Sequence, residues 1–106
     1  MSGSSGPSVG GEGYSEESCS ALRLQRVLEA PVPGVADGLT VDDILSVQLQ
    51  DGAPPAVALL TAGGALAGSV VPTMRLLECL RQGNLFQAVV LSAAGGVVRI
   101  ELRAAS

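Results

Sequence analysis

The sequence predicts an α+β domain: a small, mainly antiparallel sheet built from two Gly-Gly hairpins flanking a short helix. Three observations predict it. Gly63-Gly64 and Gly95-Gly96 each separate two apolar runs, as a hairpin turn does. Between them, Pro72 to Gln82 carries Thr73, Leu76, Leu77 and Leu80 at helical spacing, with Arg75, Glu78 and Gln82 on the other side. Last, Val98, Ile100 and Leu102 alternate with Arg99, Glu101 and Arg103, the pattern of a strand with one wet face.

Taken in order, the chain divides into three parts. Residues 1–20 are Gly- and Ser-rich, with Val9 the one aliphatic residue. Such a stretch cannot bury enough apolar area to offset the entropy of ordering it, so a disordered tail is expected. No signal peptide is visible in it. Residues 21–38 hold a helix or strand followed by a Pro/Gly linker. In Ala21 to Ala30, Ala21, Leu24, Val27 and Leu28 fit one helical face, while Leu22 and Leu24 around Arg23 also permit a strand. Pro31 and Pro33 end either element. Residues 39–106 form the hairpin-helix-hairpin domain.

Within it, Thr40-Val41-Asp42-Asp43 fits a helix-capping pattern, with both acids in the first turn where the helix dipole favours them. A helix from Thr40 to a cap at Gly52 is the favoured reading. The competing one is a strand over Ile44 to Gln50, because Leu45, Val47 and Leu49 alternate with Ser46, Gln48 and Gln50. Ala56 to Thr61 is a near-continuous apolar run, as in a strand covered on both faces. Ala62-Gly63-Gly64-Ala65 reads as a tight primed turn, and Leu66 to Val71 as the returning strand. Gly68 in that strand suggests close approach by another backbone. Pro72 suits the first turn of the next helix, and Arg81 and Gly83 suit its end. Leu85 to Ser92 is the next strand, and Ala94-Gly95-Gly96-Val97 the second tight turn.

Composition narrows the function. The chain has 106 residues, 47% of them hydrophobic and 2% aromatic, with a formal net charge of −4. All six basic residues are arginines. Nucleic-acid binding wants a positive face and stacking aromatics, so no nucleic acid is expected as a partner. Pro54, Pro55, Pro72 and Gly63-Gly64 argue against a membrane helix over the uncharged stretch from 52 to 74, so membrane association is expected only through a partner. Cys19 and Cys79 are too few for a disulfide framework and are read as free thiols in a reducing, cytoplasmic setting. Histidine is absent, so no metal site, no cofactor and no nucleophile–base pair around Cys79 are expected. The acids lie mostly in the tail, in turns or on polar faces. What remains is apolar surface that one short helix and the Thr40 helix cover on one side only. An ordered part of roughly 80 residues is also near the size where a lone core is marginal.

The order helix, hairpin, helix, hairpin resembles the Roadblock family, the dynein-light-chain and Ragulator-type domains. The carrying residues are Leu39 to Leu45 as first helix, Ala56 to Ala67 as strand, Gly turn and strand, and Phe86 to Leu102 as the later hairpin. The chain departs from the family in its shorter central helix, Pro72 to Gln82, and in lacking a fifth strand after Arg103. The resemblance implies a non-catalytic, dimerising interaction or scaffold subunit, an adaptor for motors or small GTPases, whose partner is a protein in a homo- or heterodimer. It places the pairing surface on Met74, Leu77, Cys79, Leu80 and Arg81 of the helix and on Phe86, Gln87 and Val89 of the following strand. The alternative function is a small-molecule-binding or enzymatic α+β domain whose site forms between subunits.

Overall fold

The computed structural model describes residues 19–105. After a helical turn at 19–21, the elements run β1 (Arg23–Val27), α1 (Pro33–Ala36), β2 (Ile44–Gln50), β3 (Ala56–Leu60), β4 (Leu66–Val70), α2 (Met74–Arg81), β5 (Phe86–Ala94) and β6 (Val97–Ala104). All six strands join one antiparallel sheet in the order β1-β6-β5-β2-β3-β4. The α+β class, the antiparallel sheet, both hairpins and the helix between them match the sequence reading. The expected tail lies outside the described residues as far as residue 18. Cys19 and Ser20, its last two residues, begin the helical turn.

The two ends of that strand order meet. Past β1 the chain crosses to β4, where the Glu29 N–H donates to Ser69 O (2.6 Å) and the Ser69 N–H donates to Glu29 O (2.9 Å). The Val32 N–H then donates to Ala67 O (2.9 Å). The sheet therefore curls until its outermost strands are bridged, which occupies hydrogen-bonding groups that an open sheet would expose. Gly68 permits the crossing, because a Cβ there would lie 2.8 Å from Glu29 O and 2.8 Å from the Leu28 side chain. The backbone approach expected at Gly68 comes from residues 28–29.

Two segments resolve against helices. In 21–30 the strand alternative is the one formed, as β1, paired along its length with β6. The helix favoured for Thr40 to Gly52 is not formed; residues 44–50 are β2. The capping pattern acts locally. The Thr40 N–H donates to Asp43 Oδ2 (2.9 Å), the Asp43 N–H donates to Thr40 O (3.1 Å), and Asp42 sits at φ 77°. That left-handed residue turns the chain instead of starting a helix. β2 pairs with β3 on one side and β5 on the other, so it joins the two hairpins into one sheet. A helix here would leave each hairpin with a row of unpaired backbone groups.

The two turns also differ. Ala94 pairs with Val97 across Gly95 (φ 63°) and Gly96 (φ 80°), both positive as a two-residue type I′ turn requires. The first turn is longer than expected. Thr61 O accepts from the Gly64 N–H (2.9 Å), the Thr61 N–H donates to Ala65 O (2.8 Å), and only Gly64 has a positive φ (90°). This is a type I turn closed by one left-handed residue.

Leu45, Leu59, Val90, Ile100 and Leu102 line the inner face of the curled sheet, and Leu76 and Cys79 of α2 pack onto it. Leu24 and Leu28 of the N-terminal segment also pack into this core. The expected free thiols are not found: Cys19 and Cys79 are disulfide-bonded, with their Cα atoms 5.6 Å apart, and both are buried. The physical reason is that the 19–21 turn is seated against α2, which brings together residues 60 apart in sequence. Closing a loop of that length restricts the unfolded chain by about 4 kcal/mol in the chain-entropy account. The bond also removes the thiol-based ground for expecting a reducing compartment.

Candidate interaction surface

The helix that the sequence reading singled out is well positioned. The Thr73 hydroxyl accepts from the Leu76 N–H (3.1 Å) and fixes the start of α2. At the other end, Arg81 is held by Asp51, with Nη2 2.8 Å from Oδ1. Between these anchors the predicted residues diverge. Met74 is 70% exposed, Leu80 is half-buried against the core, Leu77 is buried, and Cys79 is the disulfide partner. Two further apolar side chains stand out at either end of the helix, Val71 (61% exposed) before it and Leu85 (74%) after it.

The strand half of the predicted surface is elsewhere. Phe86 points inward and is buried in the core. Gln87 and Val89 are half-buried on the outer face of the sheet, on the side away from α2. The fold thus groups Met74, Leu77, Leu80 and Arg81 and separates them from Gln87 and Val89. β5, which the resemblance treats as a pairing edge, is interior, with β2 on one side and β6 on the other. Pairing with a second chain through β5 has no free backbone to use.

The outer face across β1, β6, β5 and β2 forms an ordered grid, because antiparallel register lines up outward side chains in rows. One row reads Arg23, Arg103, Gln87, Ser46; the next reads Gln25, Glu101, Val89, Ile44. In the third, Val27 and Arg99 meet Ser92 beside a bulge at Leu91. Glu101 bridges two arginines, its Oε1 3.2 Å from Arg103 Nη2 and its Oε2 3.7 Å from Arg23 Nη1. The Glu101 side chain is only 15% exposed. Arg103 Nε is enclosed with no acceptor among the described residues. Arg99 is exposed and makes no ion pair with a described residue. Ile44, 55% exposed, sits beside Val89 and continues the face as an apolar strip. The alternation of Arg99, Glu101 and Arg103 marked this wet face in the sequence. The position of Arg23 beside Glu101 did not, since it depends on β1 pairing with β6.

Two open clefts flank α1. One, of ≈ 320 Å³, is lined by Pro31, Pro33, Leu39, Val97 and Val98, with Asp37 as its one acid. The other, of ≈ 580 Å³, has Asp42, Asp43 and Ile44 on one side and Thr61 to Gly63 on the other. Among the described residues, no three His, Cys, Asp or Glu side chains are grouped to hold a metal ion. No helix among them is long and apolar enough to cross a membrane. No family model, no curated protein and no solved structure matches the chain.

Proposed function

We propose that this chain is a non-catalytic protein-interaction module, a scaffold subunit that pairs with itself or with a related chain. The observation that carries the reading is the apolar surface around α2. Met74 on α2, Val71 just before it and Leu85 just after it are each more than half exposed, about a helix that is capped and packed. Large apolar side chains left exposed about an ordered element are what an interface buries. The pairing proposed here is side chain to side chain, since β5 is interior and the outermost strands are bridged. An adaptor role of the Roadblock type is the finer form of this reading, and it draws on the sequence resemblance alone. The cytoplasmic placement drew on free thiols, and nothing in the present reading depends on it.

The test is the solution mass of the chain by light scattering across a dilution series. The expected result is a mass that rises toward twice the chain's own with concentration. Met74→Glu is expected to return it to monomer while the far-UV spectrum stays unchanged. Met74 is a better target than Leu80, because Leu80 also packs against the core. A chain that stays monomeric at every concentration would remove the basis for self-pairing.

A further inference from the structure

We infer that the outer face of β1, β6 and β5 is a docking surface for an acidic, extended segment of a partner protein. The inference rests on the interaction-module reading and names the chemistry of one partner. Charge carries it. The formal net charge of the chain is −4, yet the outward positions of this face hold Arg23, Arg99 and Arg103 against the single carboxylate of Glu101. The other acids of the described chain lie off it: Asp37, Asp42, Asp43 and Asp51 in helix ends and turns, Glu78 on α2, and Glu29 at the closing bridge. Such a local reversal of sign selects an acidic partner by complementarity.

Size favours a segment over a whole second domain. The arginine-bearing face is three strands wide and about 13 Å long from Arg99 to Arg103, far below the ~800 Å² per partner that stable dimers bury. An extended peptide laid along β6 matches it.

The register sets a code. Arg99 and Arg103 are four residues apart on one strand, with Glu101 midway on the same face. A partner strand with acids at i and i+4 meets both arginines, with a neutral residue over Glu101. A partner with acids at i and i+2 either sets one of them against Glu101, where like charges cost affinity, or meets only one arginine. Arg99 is the freest of the three guanidinium groups, while Arg23 and Arg103 are both engaged by Glu101. Val89 and Ile44, next to the ladder, offer apolar contact to the residues between the acids.

The experiment is fluorescence anisotropy of the full chain with two labelled, extended-forming heptapeptides of equal net charge, one with Glu at i and i+4 and one with Glu at i and i+2. The expected result at 0.1 M salt, roughly a 10 Å screening length, is tighter binding of the i, i+4 peptide by at least about threefold, the scale of one exposed charge contact. Arg99→Gln is expected to weaken that peptide by a similar factor. Glu101→Gln is expected to narrow the discrimination by strengthening the i, i+2 peptide. Equal binding of the two peptides, binding unaffected by Arg99→Gln, or a single-stranded oligonucleotide competing as well as the peptide would overturn the inference. Failure of the peptides together with concentration-dependent mass in light scattering would sink this surface and leave the interaction-module reading standing.

Discussion

The two hairpins look alike in sequence and are built differently. Ala56-Val57-Ala58-Leu59 and Ala88-Val89-Val90-Leu91 each lead toward a Gly-Gly pair, and each hairpin has a register shift, at Leu59/Leu60 and at Val90/Ser92. The first hairpin has two five-residue strands that are largely buried, and its outer strand takes the chain's crossing at Ser69. The second has strands of nine and eight residues, and its outer strand pairs with β1. Its outward residues are mostly polar, with Val89 among Gln87, Arg99, Glu101 and Arg103. The lesson is that a Gly-Gly pair between apolar runs announces a hairpin but leaves open its loop length, its exposed side and its neighbour.

Three experiments break or sharpen that comparison. The largest effects are expected where the hairpins are alike. Leu59→Ala in the first and Ile100→Ala in the second both empty fully buried inward positions, and each is expected to cost about 3 kcal/mol or more. Urea unfolding with unchanged slope would report it. A loss at one position and not the other would mean that one hairpin is peripheral to the core. Next is Gly68→Ala, which has no counterpart in the second hairpin. Its added methyl meets a carbonyl oxygen at 2.8 Å, so a loss of about 2 kcal/mol is expected, together with faster amide exchange at Glu29 and Ser69. Unchanged exchange at those two amides would show that the bridge does not depend on glycine.

The smallest effect separates the turns. Gly96→Ala forces a side chain into φ 80° and is expected to cost about 1 kcal/mol. Gly63→Ala, at a position without positive φ and with no atom nearer than Thr61 Oγ1 at 3.9 Å, is expected to be neutral or to stabilise by up to about 0.5 kcal/mol. Equal losses in thermal unfolding would mean the two turns share one geometry after all.

Much of the fold was legible because its signals are local. The periodicity of Leu76, Leu77 and Leu80, the alternation from Val98 to Arg103 and the two glycine pairs act over a few residues, and they held. Thr40 to Asp43 misled for a related reason. The same side-chain-to-backbone bond that opens a helix can close a turn, and one left-handed residue, Asp42, decides between them. Of the candidate surface, the polar side of the last strand followed from the alternation of Arg99, Glu101 and Arg103, while Met74 was named through the resemblance alone. The separation of Gln87 and Val89 from α2 did not follow from pattern, because it depends on which face of β5 the helix covers.

By itself the sequence determined the class of the domain, its two hairpins, its helix and the polar side of its last strand. These follow from spacing, which sets which side chains share a face whatever lies beyond. Tertiary structure decided the rest. It made 44–50 a strand because two hairpins needed a common neighbour. It joined Cys19 to Cys79 because α2 and the 19–21 turn share one site, and it bridged β1 to β4 past Gly68. The pairing of β2 with β5 (Ile44 to Ser46 with Val89 to Gln87), the crossing at Glu29 and Ser69 and the Cys19–Cys79 bond each join residues 40 or more positions apart, a range over which short-range propensity carries no information.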